Sequence, residues 1–194
     1  MKSLLLLSAV AVAVTSCGGY GNQTRVDTPP VSGDNIAVSD STVPMVVVRF
    51  AGPDGRPAKP ETVAMVVKPD SVWRELLTAE QYRIARGKGT EPAFCGGLLF
   101  NKEPGIYRCV CCSLPLFASD AKFESGSGWP SFYRPFAEEN ITEQDDRSLG
   151  TRRTEIICTL CEAHLGHVFT DGPPPTGLRY CLNSASLVFT PLPR

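Results

Sequence analysis

Three observations predict a mainly β, antiparallel fold preceded by short helices. From Asp70 to about Gly87, apolar residues recur at helical spacing through Val72, Trp73, Leu76, Leu77, Tyr82 and Ile84. Past Gly89 the pattern changes to short β-branched and aromatic runs broken by Gly and Pro, as in strands joined by tight turns. Two Cys-x-x-Cys pairs, Cys109/Cys112 and Cys158/Cys161, are spaced to hold one tetrahedral ion, which would staple distant parts of a single fold.

Taken in order, the amino terminus carries Lys2, an apolar stretch from Leu4 to Val14, and then Val14-Thr15-Ser16-Cys17 followed by two glycines. That stretch is too short to span a bilayer and reads as an export signal. Its end resembles the lipobox of bacterial lipoproteins, which implies cleavage after Ser16 and lipidation of Cys17. Residues 1–16 are thus expected to be a signal peptide; the other reading is an ordinary cleaved signal with an incidental cysteine. Residues 17–43, rich in Gly, Ser, Thr, Asn, Asp and Pro, have the composition of a solvated tether. In the extension 44–69, Val46-Val47-Val48 and Val63-Ala64-Met65-Val66-Val67 flank a turn-rich Gly52 to Pro57, so a hairpin is possible.

The main domain is expected over 70–192. Asp70 or Ser71 could cap a first helix and Thr78 a second. Strand candidates are Gly105 to Val110, Arg152 to Cys158, His167 to Phe169, and Leu178 to Phe189. A net charge of -1 and no long basic stripe give no reason to expect a nucleic-acid partner.

Thiolates are soft donors, and four of them satisfy tetrahedral zinc, so the two pairs predict structural Zn2+ with no open coordination position. Two local disulfides or redox pairs are the alternative. Cys111 lies inside the first pair without the two-residue spacing and is read as a spectator. Cys181 is left as a thiol in Arg179-Tyr180-Cys181-Leu182-Asn183-Ser184. If Leu178 to Val188 is a strand, Arg179, Cys181 and Asn183 share one side, and the cation would favour the thiolate. The two histidines of the chain, His164 and His167, follow the second pair and could move a proton. Trp129, flanked by glycine in Gly128-Trp129-Pro130, could present its ring at a surface.

From about Trp73 to Pro191 the chain resembles the methionine-R-sulfoxide reductases of the B type. The resemblance rests on Gly89-Thr90-Glu91-Pro92-Ala93-Phe94, Gly128-Trp129-Pro130-Ser131-Phe132, Arg152-Arg153-Thr154-Glu155, His164-Leu165-Gly166-His167-Val168-Phe169 and the Cys181 segment. It implies that Cys181 attacks the sulfoxide sulfur and that His164 and His167 help protonate its oxygen. It also implies that Trp129 receives the substrate methyl group, while Arg179, Asp171 and Asn183 line the site. The oxygen would remain on the enzyme as a sulfenic acid.

Many members carry a resolving cysteine where this chain has Ser127, and some carry one at the position of Cys95. The resemblance therefore implies a Cys95 to Cys181 disulfide reduced by a thioredoxin-like donor. Direct reduction of the sulfenic acid, or resolution by Cys111, are the alternatives. The signal and Cys17 place the expected enzyme in the bacterial cell envelope, lipid-anchored and facing the periplasm or exterior. A zinc-stabilised binding module with an inert Cys181, and a thiol-disulfide exchanger using a metal-free pair, are the competing classes.

Overall fold

The computed structural model describes residues 43–148 and 150–192. The signal, Cys17 and all of the tether but its last residue lie outside the described residues. Among the described residues, no helix is long and apolar enough to cross a membrane.

The chain enters through β1 (Met45–Val48) and β2 (Glu61–Ala64), paired antiparallel with Met45 opposite Ala64. This hairpin is tied to the body of the protein. Val48 is fully buried, Asn140 bonds both the N–H and the C=O of Arg49, and the Val66 N–H donates to Leu160 O beside the second cysteine pair.

Two short helices follow, α1 (Asp70–Leu76) and α2 (Ala79–Ala85). Thr78 caps α2 through a reciprocal box with Gln81, satisfying two otherwise unpaired N–H groups. Neither Asp70 nor Ser71 caps α1. Its N-cap is Pro69, and Asp70 instead accepts from the Tyr82 hydroxyl and Arg74, pinning α1 to α2.

A three-stranded sheet, in the order β11-β3-β4, contains β3 (Gly105–Cys109), β4 (Pro115–Ala118) and β11 (Leu187–Pro191). A six-stranded sheet runs β5-β6-β10-β9-β8-β7. Its members are β5 (Lys122–Phe123), β6 (Ser131–Phe132), β7 (Ile141–Asp146), β8 (Arg153–Cys158), β9 (His164–Phe169) and β10 (Arg179–Leu182). All pairings are antiparallel. Between the sheets, Tyr107 and Phe117 meet Phe132 at centroid distances of 4.9 and 4.7 Å, and Phe117 meets Tyr180 at 5.6 Å. Edge and tilted ring contacts of this kind add to the apolar burial that holds the two layers together.

The expected strand from Leu178 to Phe189 is two strands in two sheets. A 3-10 turn at Ser184–Ser186 ends β10 and carries the chain across to β11. Two of its N–H groups, those of Ser184 and Ala185, are satisfied by the Glu91 carboxylate from a distant segment, a device that a search for alternation cannot detect.

Candidate active site and metal centre

The two cysteine pairs fold alike. Cys109 ends β3 and Cys158 ends β8. In the first knuckle the Ser113 N–H donates to Cys109 O and the Cys109 N–H to Leu114 O. In the second, Glu162 N–H donates to Cys158 O and Cys158 N–H to Ala163 O. Ser113 and Glu162 both take positive φ, 61° and 57°, which turns the chain back so that its sulfurs face inward. The Sγ atoms of Cys109, Cys112, Cys158 and Cys161 all lie within 4.8 Å of one another. Cross-knuckle separations are 3.6 Å for Cys109 to Cys161 and 3.5 Å for Cys112 to Cys158. Four thiolates about 2.3 Å from a central ion would be about 3.8 Å apart, so the set fits a tetrahedral metal. All four are free thiols, as is Cys111, and Cys111 stands outside the cluster.

Cys181 sits in β10 between β9 and β6, opposite His167 on one side and Ser131 on the other. Tyr180 and Leu182 turn into the core, so Cys181 and Arg179 occupy the outer face. Cross-strand pairing extends that row: His167 stands opposite Glu155 on β8. His164 would point the opposite way from His167 on a regular strand. A register shift between Ile156 and Ile157 of β8 absorbs Leu165 and brings both imidazoles to one face, with ring centroids 5.6 Å apart. Gly166 makes this register possible, because a Cβ there would lie 2.0 Å from the carbonyl oxygen of Cys181.

Each polar group on this face has a defined partner. His164, 3% exposed, bonds through Nδ1 to Glu155 Oε1 at 2.7 Å, and Lys88 Nζ holds Glu155 Oε2 at 2.8 Å. Since a carboxylate only accepts, His164 Nδ1 carries the proton and Nε2 is left for other chemistry. Burial lowers the His164 pKa despite the opposing pull of Glu155. For Glu155, burial pushes upward, but Lys88 and His164 outweigh it and leave the carboxyl below its ordinary range. His167 Nε2 meets Asp146 Oδ2 at 2.8 Å, and Arg153 binds the same oxygen. The Ser148 backbone, His167 and Arg153 hold the Asp146 carboxyl well below its usual range.

Around the thiol, Ser127 Oγ lies 3.8 Å from Cys181 Sγ, and Ser125 bonds both Ser127 and Ser131 at 2.8 Å. Arg179 forms a two-pronged ion pair with Asp171, 2.9 Å at each contact, and lies 4.4 Å from the centroid of the Phe169 ring. Burial dominates at Cys181 and raises its pKa. Ser127, Arg179 and Ser131 act downward without reversing it. Arg179 thus acts in the expected direction, favouring the thiolate, but burial of the thiol is the larger effect. An open groove of about 490 Å³ is lined by Phe123, Asp171, Arg179 and Ser127, the residue whose Oγ lies 3.8 Å from the thiol.

Asn183 departs from the sequence expectation. It lies beyond the end of β10, is 3% exposed, and commits its Nδ2 to Leu165 O and its Oδ1 to the Glu91 N–H. Trp129 is half-buried, its Nε1–H donating to Glu91 O at 3.0 Å. Gly128 takes φ +93°, and Phe94 N–H donates to its carbonyl, so the 91–95 turn lies against the Trp129 loop. Cys95, half-buried on that turn, is itself disulfide-bonded and not to Cys181, whose thiol is free.

Glu155, Asp146, Lys88, Glu91, Ser127 and Ser131 were given no role from sequence. Glu155 and Glu91 lay inside the quoted motifs, but nothing in their spacing tells a buried carboxylate from a solvated one.

Residues 77–191 match the SelR domain family. The chain belongs to this family. Among relatives, the SelR chain is 56% identical over 128 residues to a protein of Herminiimonas arsenicoxydans, covering 66% of this chain and 93% of the relative. It is 60% identical over 124 residues to one of Hahella chejuensis (64% and 89%), and 56% identical over 129 residues to one of Pseudomonas aeruginosa (66% and 98%). All three are named peptide methionine sulfoxide reductase MsrB. The SelR match begins within the helical lead-in and leaves the β1–β2 hairpin outside it.

Proposed function

We propose that this protein is a peptide-methionine (R)-S-oxide reductase. The reading rests on membership of the SelR family together with one observation: a free cysteine, Cys181, in register with a histidine on the face where two imidazoles converge. Cys181 sulfur attacks the sulfoxide sulfur while His164 and His167, directly or through water, deliver a proton to the sulfoxide oxygen. The substrate S–O bond and the new sulfur–sulfur bond then break as a Cys181 S–O bond forms, so methionine leaves and Cys181 keeps the oxygen as sulfenic acid. Trp129 packs against the substrate methyl group. Arg179 with Asp171 forms a wall of the groove, and Asn183 anchors the end of the nucleophile strand from below.

Cys95, reduced to a thiol by a thioredoxin-like dithiol, attacks the sulfenic sulfur and expels water, leaving a Cys95–Cys181 disulfide. A thioredoxin-like dithiol then takes that disulfide back to two thiols and is itself oxidised. The four-cysteine cluster holds Zn2+ as a closed structural site and takes no part in these steps. Cys17 is lipidated after removal of residues 1–16, anchoring the enzyme in the bacterial envelope with its domain facing the periplasm or exterior.

The test uses separated epimers of a methionine sulfoxide peptide with zinc determined on the same sample. The R epimer alone should be turned over, and Cys181→Ser should abolish turnover with zinc and fold retained. Turnover of the S epimer alone, or undiminished activity in Cys181→Ser, would overturn the reading. Finding Cys181 bonded to Cys111 after substrate oxidation, or no disulfide while turnover persists, would remove Cys95 from the scheme.

A further inference from the structure

Glu91 is 1% exposed, yet the reaction scheme gives its carboxylate nothing to do. Four hydrogen bonds converge on this residue. Its Oε1 accepts from Ser184 N–H at 2.6 Å and its Oε2 from Ala185 N–H at 3.0 Å. Its own N–H donates to Asn183 Oδ1 at 3.0 Å, and its carbonyl accepts the Trp129 indole N–H at 3.0 Å. One residue thus joins the turn after the Cys181 strand to the Trp129 ring. The packing leaves little slack, since a Cβ on Gly96 would lie 2.4 Å from Glu91 Oε1 and 2.1 Å from Ser184 Oγ.

We propose that Glu91 is a positioning residue that fixes Trp129 relative to Cys181. Cys181 itself is held by β6 and β9 on both sides. The Trp129 ring instead takes its bond from a carbonyl whose place is set by the Glu91 carboxylate clamp on Ser184 and Ala185. A buried carboxylate with two backbone N–H donors is a rigid anchor, because moving it would strand both donors. The inference rests on the proposed contact between Trp129 and the substrate methyl group.

Glu91→Gln turns one acceptor into a donor that faces an N–H. The protein is assayed for kcat/KM on a methionine-R-sulfoxide peptide, for alkylation of Cys181 by iodoacetamide read by mass spectrometry, and for zinc. Trp129 emission is read in a Trp73→Phe background, which removes the other tryptophan. The expected result is a fall in kcat/KM of about tenfold, a red-shifted Trp129 emission, unchanged Cys181 alkylation and full zinc. Glu91→Asp, which keeps the charge, should recover part of the loss.

Unchanged kcat/KM and emission would overturn the proposal. So would an equal loss of alkylation, which would make Glu91 a support of the fold alone. Should Glu91→Gln fail to fold, the wild-type protein decides: the indole N–H resonance of Trp129 should follow the same titration as the Ser184 and Ala185 amides, and independent behaviour overturns the proposal. Trp129→Ala separates the two readings. If it leaves kcat/KM intact, the methyl contact fails and this inference with it; if it lowers kcat/KM while Glu91→Gln does not, only the inference fails.

Discussion

Replacing Glu155 by Gln tests how the buried imidazole is kept ready to give up a proton. Gln preserves the size of the side chain and can still accept from His164 Nδ1, so the ring orientation survives while the negative charge is lost. The geometry bearing on the magnitude is a 2.7 Å contact between groups 4% and 6% exposed, where solvent screens little. A hydrogen bond to a charged group contributes about 1.5–3 kcal/mol. The low end applies, because Lys88 draws on the same carboxylate. Losing about 1.5 kcal/mol of stabilisation from the imidazolium lowers its population about tenfold at a pH above its pKa.

Burial already depresses His164 and Glu155 opposes that depression, so removing the charge moves the group further down. The assay is kcat/KM on a methionine-R-sulfoxide peptide across pH. At neutral pH the variant should be about tenfold slower, with the deficit narrowing on acidification and the rise in rate occurring at lower pH than in the wild type. An unchanged profile, with zinc and fold intact, would refute the assignment of proton delivery to the His164–Glu155 pair.

Removing the metal with a strong chelator should unfold the domain cooperatively, since structural zinc contributes on the order of 10 kcal/mol or more in small domains; circular dichroism that is unchanged after complete zinc loss would contradict this. Gly166→Ala should lower stability by about 3 kcal/mol or prevent folding, given the 2.0 Å approach to Cys181 O, and a denaturant midpoint matching the wild type would show that β9 and β10 can separate at little cost. Ser127→Cys places a thiol about where Ser127 Oγ now lies 3.8 Å from Cys181 Sγ. In a Cys95→Ser background it should restore a substrate-induced disulfide to Cys181 by peptide mapping and recycling by a dithiol donor; failure to cross-link would show that the 125–131 loop cannot close the remaining gap.

Much of the site was legible because its chemistry is written in residue types that proteins seldom cluster without cause. The doubled Cys-x-x-Cys spacing predicts the four-sulfur cluster, and burial alternation along Arg179 to Leu182 matches a strand with its thiol on one face. Thr78 and Gln81 signal their capping box through local geometry alone. The misses share a non-local cause. Asn183 was placed beside Cys181 by extending a strand that stops one residue earlier, because the Glu91 carboxylate satisfies the next two N–H groups from more than ninety residues away. The local pattern offers Asp70 or Ser71 as a cap for α1, yet Tyr82 and Arg74 claim Asp70. Arg179 does lower the thiol pKa as its position in the chain suggests, but the size of the opposing burial is set by distant segments.

The sequence by itself determined the antiparallel β class, the four cysteines that could hold a metal and the separateness of Cys181 from that set, because periodicity, spacing and soft-donor chemistry are properties of neighbours in the chain. Only the tertiary structure decided that His164 joins His167 on one face, through the Leu165 bulge, and which nitrogen of His164 holds its proton. It also decided that a buried Glu91 binds the Trp129 loop to the Cys181 strand. Those outcomes depend on cross-strand register and on the balance between desolvation and hydrogen bonding, and neither exists until distant segments meet.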